Sequence, residues 1–275
     1  MTENPKVSVI MGIYNCEKTL PEAIESIIGQ TYTNWELIMC DDGSSDGTYA
    51  VARSYADRYP QKITLLRNET NRKLSYTLNR CLEAASGELI ARMDGDDMCR
   101  SDRFQKQIDF LQSHPDIQLV GTGMQFFDMT GYHRVLMHPH TYPTKDDLKR
   151  DVPFFHATIM TYAWVYAALG GYSEGERIER VEDVDLWFRF FKRGYIGANL
   201  GEALYFVREN DDAIRRRTLK ARINEFVAFK NGIRLLGLPR RFVARKLILI
   251  GIKALLPFSV MKWVRKKRGL IGGDS

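Results

Sequence analysis

Several signatures are missing from this 275-residue sequence, and each absence closes a class of answer. The four cysteines, Cys16, Cys40, Cys81 and Cys99, form no Cys-x-x-Cys pair, which argues against a zinc ribbon or a disulfide scaffold. No uncharged apolar run approaches the ~20 residues that a bilayer span requires. Met1-Thr2-Glu3-Asn4-Pro5 lacks the basic and apolar stretches of a signal peptide, so a reducing, cytoplasmic-side location is expected. There is no internal repeat or low-complexity tract. No dinucleotide-type glycine fingerprint follows the first apolar run and no Gly-Lys-Ser/Thr loop occurs, so the dehydrogenase and P-loop readings fail. What is present is ordinary globular composition, 44% hydrophobic and 27% charged, which excludes wholesale disorder.

The formal charge of +6 is unevenly spread. Residues 215–275 hold 17 Lys+Arg against 2 Asp+Glu, whereas residues 1–214 hold 23 against 32. The division predicts a catalytic body over 1–214 and a basic helical extension over 215–275 with a separate job. Without a Pro/Ser-rich linker, the two are expected to pack together.

The first 120 residues alternate strand and helix patterns. Val7 to Ile13 is a nearly continuous apolar run, as in a strand covered on both faces. Leu20, Ile24, Ile27 and Ile28 mark one helix face. Further strands are predicted at Glu36–Cys40, Ile63–Leu66 and Glu88–Met93. Helices are predicted at Thr48–Tyr59, at Leu74–Ala85 and through Phe104, Ile108 and Leu111. Such alternation builds an α/β fold, a mostly parallel sheet flanked by helices, with ligands beyond the carboxyl ends of the strands.

Those ends are rich in carboxylates. The first strand leads to Tyr14-Asn15, the second to the Asp41–Thr48 turn, the fourth to Asp94-Gly95-Asp96-Asp97, and Asn71-Arg72-Lys73 follows the third. Facing acidic groups repel unless a cation lies between them, and Mg2+ or Mn2+ binds through one or two carboxylates plus substrate phosphates. The plainer alternatives are a solvated turn at Asp94–Asp97 and a helix cap by Ser44, Ser45 or Asp46. Tyr14 suits stacking on a base, and Asp41 or Asp42 suits a hydrogen bond from a base or ribose; the alternative for Tyr14 is the core.

Taken together, Val7–Asn15, the Asp41-Asp42-Gly43-Ser44-Ser45-Asp46-Gly47-Thr48 turn, Asp94-Gly95-Asp96-Asp97 and Glu182-Asp183-Val184-Asp185-Leu186-Trp187 resemble family-two glycosyltransferases over roughly residues 6–210. The chain is most similar to Gram-positive exopolysaccharide enzymes of biofilm and capsule. The resemblance implies a GT-A (Rossmann-like) fold and inverting transfer from a nucleotide-diphosphate sugar, a uridine diphosphate sugar by preference. The acceptor would be lipid-linked or a saccharide, and protein partners in a polysaccharide-synthesis complex fit the same setting. Residue by residue, it implies Tyr14 stacked on the base, Asp42 bonded to it, and Arg72 or Lys73 near base and phosphates. Asp94 would lie on the ribose side and Asp96 on the metal, with Asp97 behind it. Gly12 stands where the family more often has proline.

The same resemblance puts the catalytic base at Asp183. Helical spacing supports it: Glu182, Asp185, Arg189 and Lys192 form a polar stripe, while Asp183 falls on the side of Leu186, Trp187 and Phe190. Burial there raises a carboxylate pKa and the helix N-terminus lowers it, and spacing leaves the winner open. Glu182, His156, Trp187 and Arg208 are further candidates, with core packing or simple exposure as their alternatives. In the basic extension, Ile223, Phe226, Val227 and Ile233 show helical spacing. Phe258, Met261 and Trp263 beside Arg265-Lys266-Lys267-Arg268 fit an anchor on the inner membrane face, each basic residue contributing about 1 kcal/mol. A helical hairpin packed on the body is the alternative; no nucleic-acid reader motif is found. Outside enzymes, the rival is a binding or regulatory protein that retains the fold.

Overall fold

The computed structural model describes residues 1–149, 152–209 and 219–239, together with Arg241, Ala244 and Ile248. Its centre is a nine-stranded sheet. The chain runs β1 (Val7–Ile13), α1 (Leu20–Ile28), β2 (Trp35–Asp41), α2 (Thr48–Arg58), β3 (Ile63–Arg67), α3 (Lys73–Ala84), β4 (Leu89–Arg92), β5 (Met98–Cys99) and α4 (Arg103–Ser113). Then follow β6 (Leu119–Asp128), β7 (Gly131–Leu136), β8 (Met160–Tyr162), α5 (Ala163–Leu169), α6 (Glu182–Lys192), β9 (Gly197–Arg208) and α7 (Leu219–Leu235).

The spatial order is β3-β2-β1-β4-β8-β6-β9-β5, with β7 paired to β6. The predicted alternation is found in β3, β2, β1 and β4, which are mutually parallel. In the second half the sheet becomes mixed: β8 runs antiparallel to β4 and β6, while β9 is parallel to β6. Ile13 lies opposite Asp41, and Asp41 opposite Arg67, so three strands end level at one edge.

Alternate residues of β1 explain the two cores. Val7, Val9, Met11 and Ile13 face α1, α2 and α4 through Leu20, Ile24, Ala52, Phe104 and Ile108. Ile10, with Ile38 and Cys40 of β2, faces the other layer, where Leu78 and Cys81 of α3 meet Leu186, Trp187 and Phe190 of α6. All four cysteines are free thiols.

Most of the basic extension lies outside the described residues, and with it the proposed anchor at 258–268. The part that is described, α7, packs on α6. Its buried face is Asn224, Ala228, Phe229, Gly232 and Ile233. Ile223 is exposed, which corrects the face drawn through Ile223, Phe226, Val227 and Ile233. Two small residues, Ala228 and Gly232, bring the helices close enough for Phe229 to meet the Phe188 ring edge-on at 5.6 Å.

Candidate functional site

Beyond the strand ends lies an open cleft of about 1480 Å³. That exceeds the ~300–1,000 Å³ of common small-molecule sites, leaving room for two reactants. One wall carries Gly12, Tyr14, Asp42, Arg72, Lys73, Asp94 and Asp96; the facing wall carries Glu174, Glu176, Glu179, Arg180, Glu182 and Lys220.

The first wall is built where β1, β2 and α3 converge. Tyr14 is half exposed at the end of β1, so it is not core. Asn15, at φ 47°, donates its N–H to Ser44 Oγ at 3.0 Å and accepts from Ser45 N at 2.9 Å, which ties the two strand ends together. None of Ser44, Ser45 and Asp46 is the helix cap, a place taken by Gly47; Asp46, one residue earlier, accepts the Thr48 N–H at 3.0 Å. Asp42 is buried and accepts from Asn68 Nδ2 (2.7 Å), Arg72 N (2.7 Å) and Lys73 N (3.0 Å). A carboxylate has about four acceptor sites, so roughly one stays open toward a ligand. Asp41 points away: it is fully buried, facing Arg67 Nε at 3.3 Å, and does not line the cleft.

After β4, the carboxylate oxygens of Asp94, Asp96 and Asp97 lie within 4.8 Å of one another. Gly95 permits this turn through space: a Cβ there would meet Ile13 Cγ2 at 3.0 Å and Cys16 Sγ at 3.1 Å. Asp97 is buried behind the turn and accepts the Arg208 N–H at 2.9 Å. Burial, then the charges of Asp96 and Asp94, push its carboxyl well above the usual range. Three hard oxygen donors crowded at mutual cost fit a divalent cation.

The facing wall centres on the N-terminus of α6. Glu182 lines the cleft, although its spacing had put it on the polar stripe. Burial and the neighbouring Asp183 push its carboxyl up to about 7. Asp183 does not line the cleft; its Oδ1 accepts the Val184 N–H at 2.8 Å. Burial also raises the Asp183 pKa, with the Val184 N–H and Arg92 pulling it back, so desolvation prevails over the helix terminus. The stripe itself is present in the 2.7 Å ion pair between Arg189 and Asp185.

Besides Asp97 and Asp183, three further candidates are not brought to the cleft wall. Trp187 is fully buried against Phe154 and His156, leaving no surface for an acceptor. His156 Nε2 bonds the Tyr172 hydroxyl at 2.7 Å, which bonds Tyr166 in turn. Burial, with Arg92 nearby, holds its imidazole well below the ordinary pKa. Arg208 is not a free surface arginine: its guanidinium reaches Glu22 and the Asp96 carbonyl.

Sequence reasoning missed Arg92. It is buried at the end of β4, paired to Asp94, and its charge is felt by His156, Glu182 and Asp183. Burial opposes that charge, yet Asp94 beside it raises the pKa further. Its signal was a lone cation inside the apolar run Leu89-Ile90-Ala91-Arg92-Met93. Also missed was Tyr205 of β9, whose buried hydroxyl accepts the Asp94 N–H at 3.0 Å.

Comparison with known proteins agrees with this architecture. The model of glycosyl transferase family 2 matches residues 8–166. The chain is 46% identical to the Bacillus subtilis (strain 168) protein named "Putative glycosyltransferase EpsE", over 98% of this chain and 96% of that one. It is 33% identical to the amylovoran biosynthesis glycosyltransferase AmsE of Erwinia amylovora, over 76% of this chain and 79% of that one. Among solved structures, S. aureus TarS 1–349 in complex with UDP-GlcNAc superposes with a TM-score of 0.64 at 19% identity. That match covers 81% of this chain and 65% of TarS 1–349, and it speaks for the fold alone.

Proposed function

The chain belongs to glycosyl transferase family 2, and on that premise we propose that it is an inverting transferase. Its donor would be a uridine diphosphate sugar and its acceptor a lipid-linked or saccharide chain in exopolysaccharide synthesis. The observation that carries this reading is that Asp94 and Asp96 of the acidic cluster line one cleft with Glu182, the neighbour of Asp183, while buried Arg92 is paired to Asp94 and its charge is felt by both Glu182 and Asp183. The named roles of AmsE in amylovoran biosynthesis and the UDP-GlcNAc bound by TarS support the polymer and the nucleotide.

In this reading Tyr14 stacks on the base and the open acceptor site of Asp42 meets it. Asp94, held by Arg92 and Tyr205, takes the ribose side. Arg72 and Lys73, at the start of α3, face the diphosphate. Asp96 would hold a divalent cation with Asp97 behind it, and that ion would offset charge on the departing diphosphate. Asp183 takes the proton from the acceptor hydroxyl as its oxygen bonds the anomeric carbon, and the bond to diphosphate breaks with its electron pair leaving on the nucleotide. Arg92 orients Asp94 and moderates the charge of the acidic pair. A second reading makes Glu182 the base, favoured by its place on the cleft wall.

Calorimetric titration with uridine diphosphate, with and without Mn2+, tests the donor site. Metal-dependent binding is expected in the wild type and not in Asp96→Ala. Silence of the wild type toward uridine, guanosine and thymidine diphosphates would instead favour a retired fold with a protein-binding role.

A further inference from the structure

The facing wall has a support from outside the catalytic body. Residues 173–181, joining α5 to α6, contain no regular helix or strand and carry Glu176, Glu179 and Arg180 to the cleft. Gly175 (φ 116°) and Arg180 (φ 70°) adopt left-handed conformations, and Arg180 does so with a Cβ. Such a backbone persists only where its surroundings hold it. Within the segment, Ile178 N bonds Gly175 O at 3.0 Å and Val181 N bonds Ile178 O at 2.9 Å. The carbonyls of Glu176 and Glu179 are taken from outside, by the side-chain amide of Asn224 on α7, at 2.8 and 3.1 Å.

Asn224 is only 1% exposed and its Oδ1 has no hydrogen-bond partner, so the amide is buried at a cost that packing of α7 alone does not require. Two further residues of α7 point the same way. Lys220 lines the cleft and lies 3.0 Å from Glu179, whose other oxygen is 3.9 Å from Lys73 across the cleft. Glu225 adds negative charge at Asp183. The far end of α7 is seated on Phe188 of α6, so one helix references both the segment and the helix that bears the acidic pair.

We propose that Asn224 is a positioning residue: from α7 it holds segment 173–181, and through it the start of α6, in the geometry used for transfer. The proposal rests on the transferase reading and gives α7, within the basic extension, a part in the work of the catalytic body. It predicts that acceptor turnover depends on α7 while nucleotide binding does not.

The test uses the full chain with Asn224→Asp, which keeps the shape but removes both N–H donors, and Asn224→Ala in case a buried carboxylate prevents folding. Amide hydrogen exchange in 174–181 should quicken about tenfold while β1 stays protected. Uridine diphosphate affinity with Mn2+ should stay within about twofold, and kcat should fall about 10–100-fold, as misplacement by an ångström does elsewhere. Wild-type exchange and kcat in both variants would overturn the proposal. Exchange rising throughout the chain with loss of nucleotide binding would overturn it too, making Asn224 a fold residue. If the wild type turns over no donor yet exchange responds as expected, the holding contact stands and the reaction assignment fails.

Discussion

At the scale of single residues, the same side chain type does different work according to what it touches. Asp42 spends most of its acceptors holding the start of α3, Asp94 is neutralised by Arg92, and Asp97 is buried among like charges. Burial raises both Glu182, to about 7, and Asp183, so each is in its proton-accepting form over a narrower range of pH than a free carboxylate. The sign follows: kcat/KM should climb with pH through an apparent value near 7 and then level, the limb belonging to the pair. With Asp183 as the base, Asp183→Asn should lower kcat by about 10²- to 10⁴-fold, and Glu182→Gln should retain turnover with the limb moved to lower pH. The reverse outcome, loss in Glu182→Gln with Asp183→Asn active, would transfer the role to Glu182. Stability carries the opposite sign. Burial favours the protonated Glu182, so its contribution is full below the ordinary 4.5 and is lost as pH rises through about 7.

At the scale of elements, α6 and α7 form the support of the acidic wall, and their contact turns on a glycine. In an open helix, replacing glycine by alanine stabilises by about 1 kcal/mol. At Gly232 a Cβ would lie 2.1 Å from Phe188 Cγ, and Phe188 is fully enclosed, so the ring has nowhere to move. Gly232→Ala should therefore lower stability by about 1–3 kcal/mol, read as a fall in Tm by thermal denaturation. A raised Tm would mean that the two helices are not packed this closely in solution. The strands divide in legibility. β1 to β4 were plain in the sequence because βα alternation repeats and because two-sided burial leaves continuous apolar runs in β1, β2 and β4. β5, β6 and β7 were not assigned, and β9 only over its Tyr205-Phe206-Val207 stretch. β5 is two residues long and β6 has one stretch of mixed exposure, so no local period marks them.

At the scale of the whole molecule, charge and catalysis are laid out along one chain. The acidic wall shares the cleft with the cations Arg72 and Lys73, and the +15 of residues 215–275 follows it, largely outside the described residues. Among the described residues no helix is long and apolar enough to cross a membrane. Surface association remains the sequence-based proposal for this segment. Co-sedimentation with vesicles containing anionic lipid should weaken as ionic strength rises from about 0.1 to 1 M, where the screening length falls from about 10 to 3 Å. Equal binding to neutral vesicles at both salt concentrations would remove the electrostatic role of the extension.

The sequence alone determined the α/β class, the polar residues at the ends of the first strands, and the acidic motif after β4. Those features are local: an apolar run, a turn and the side chains just beyond it lie within a few residues of one another. Only the tertiary structure decided that Arg92 links Asp94 to the acidic pair, that Glu182 rather than Asp183 forms the wall, and that His156 and Trp187 turn inward. It also decided that α7 reaches back to carbonyls 45 and 48 residues earlier. These depend on which strands are neighbours and which helix faces oppose, and burial and charge at a site are sums over segments distant in the chain.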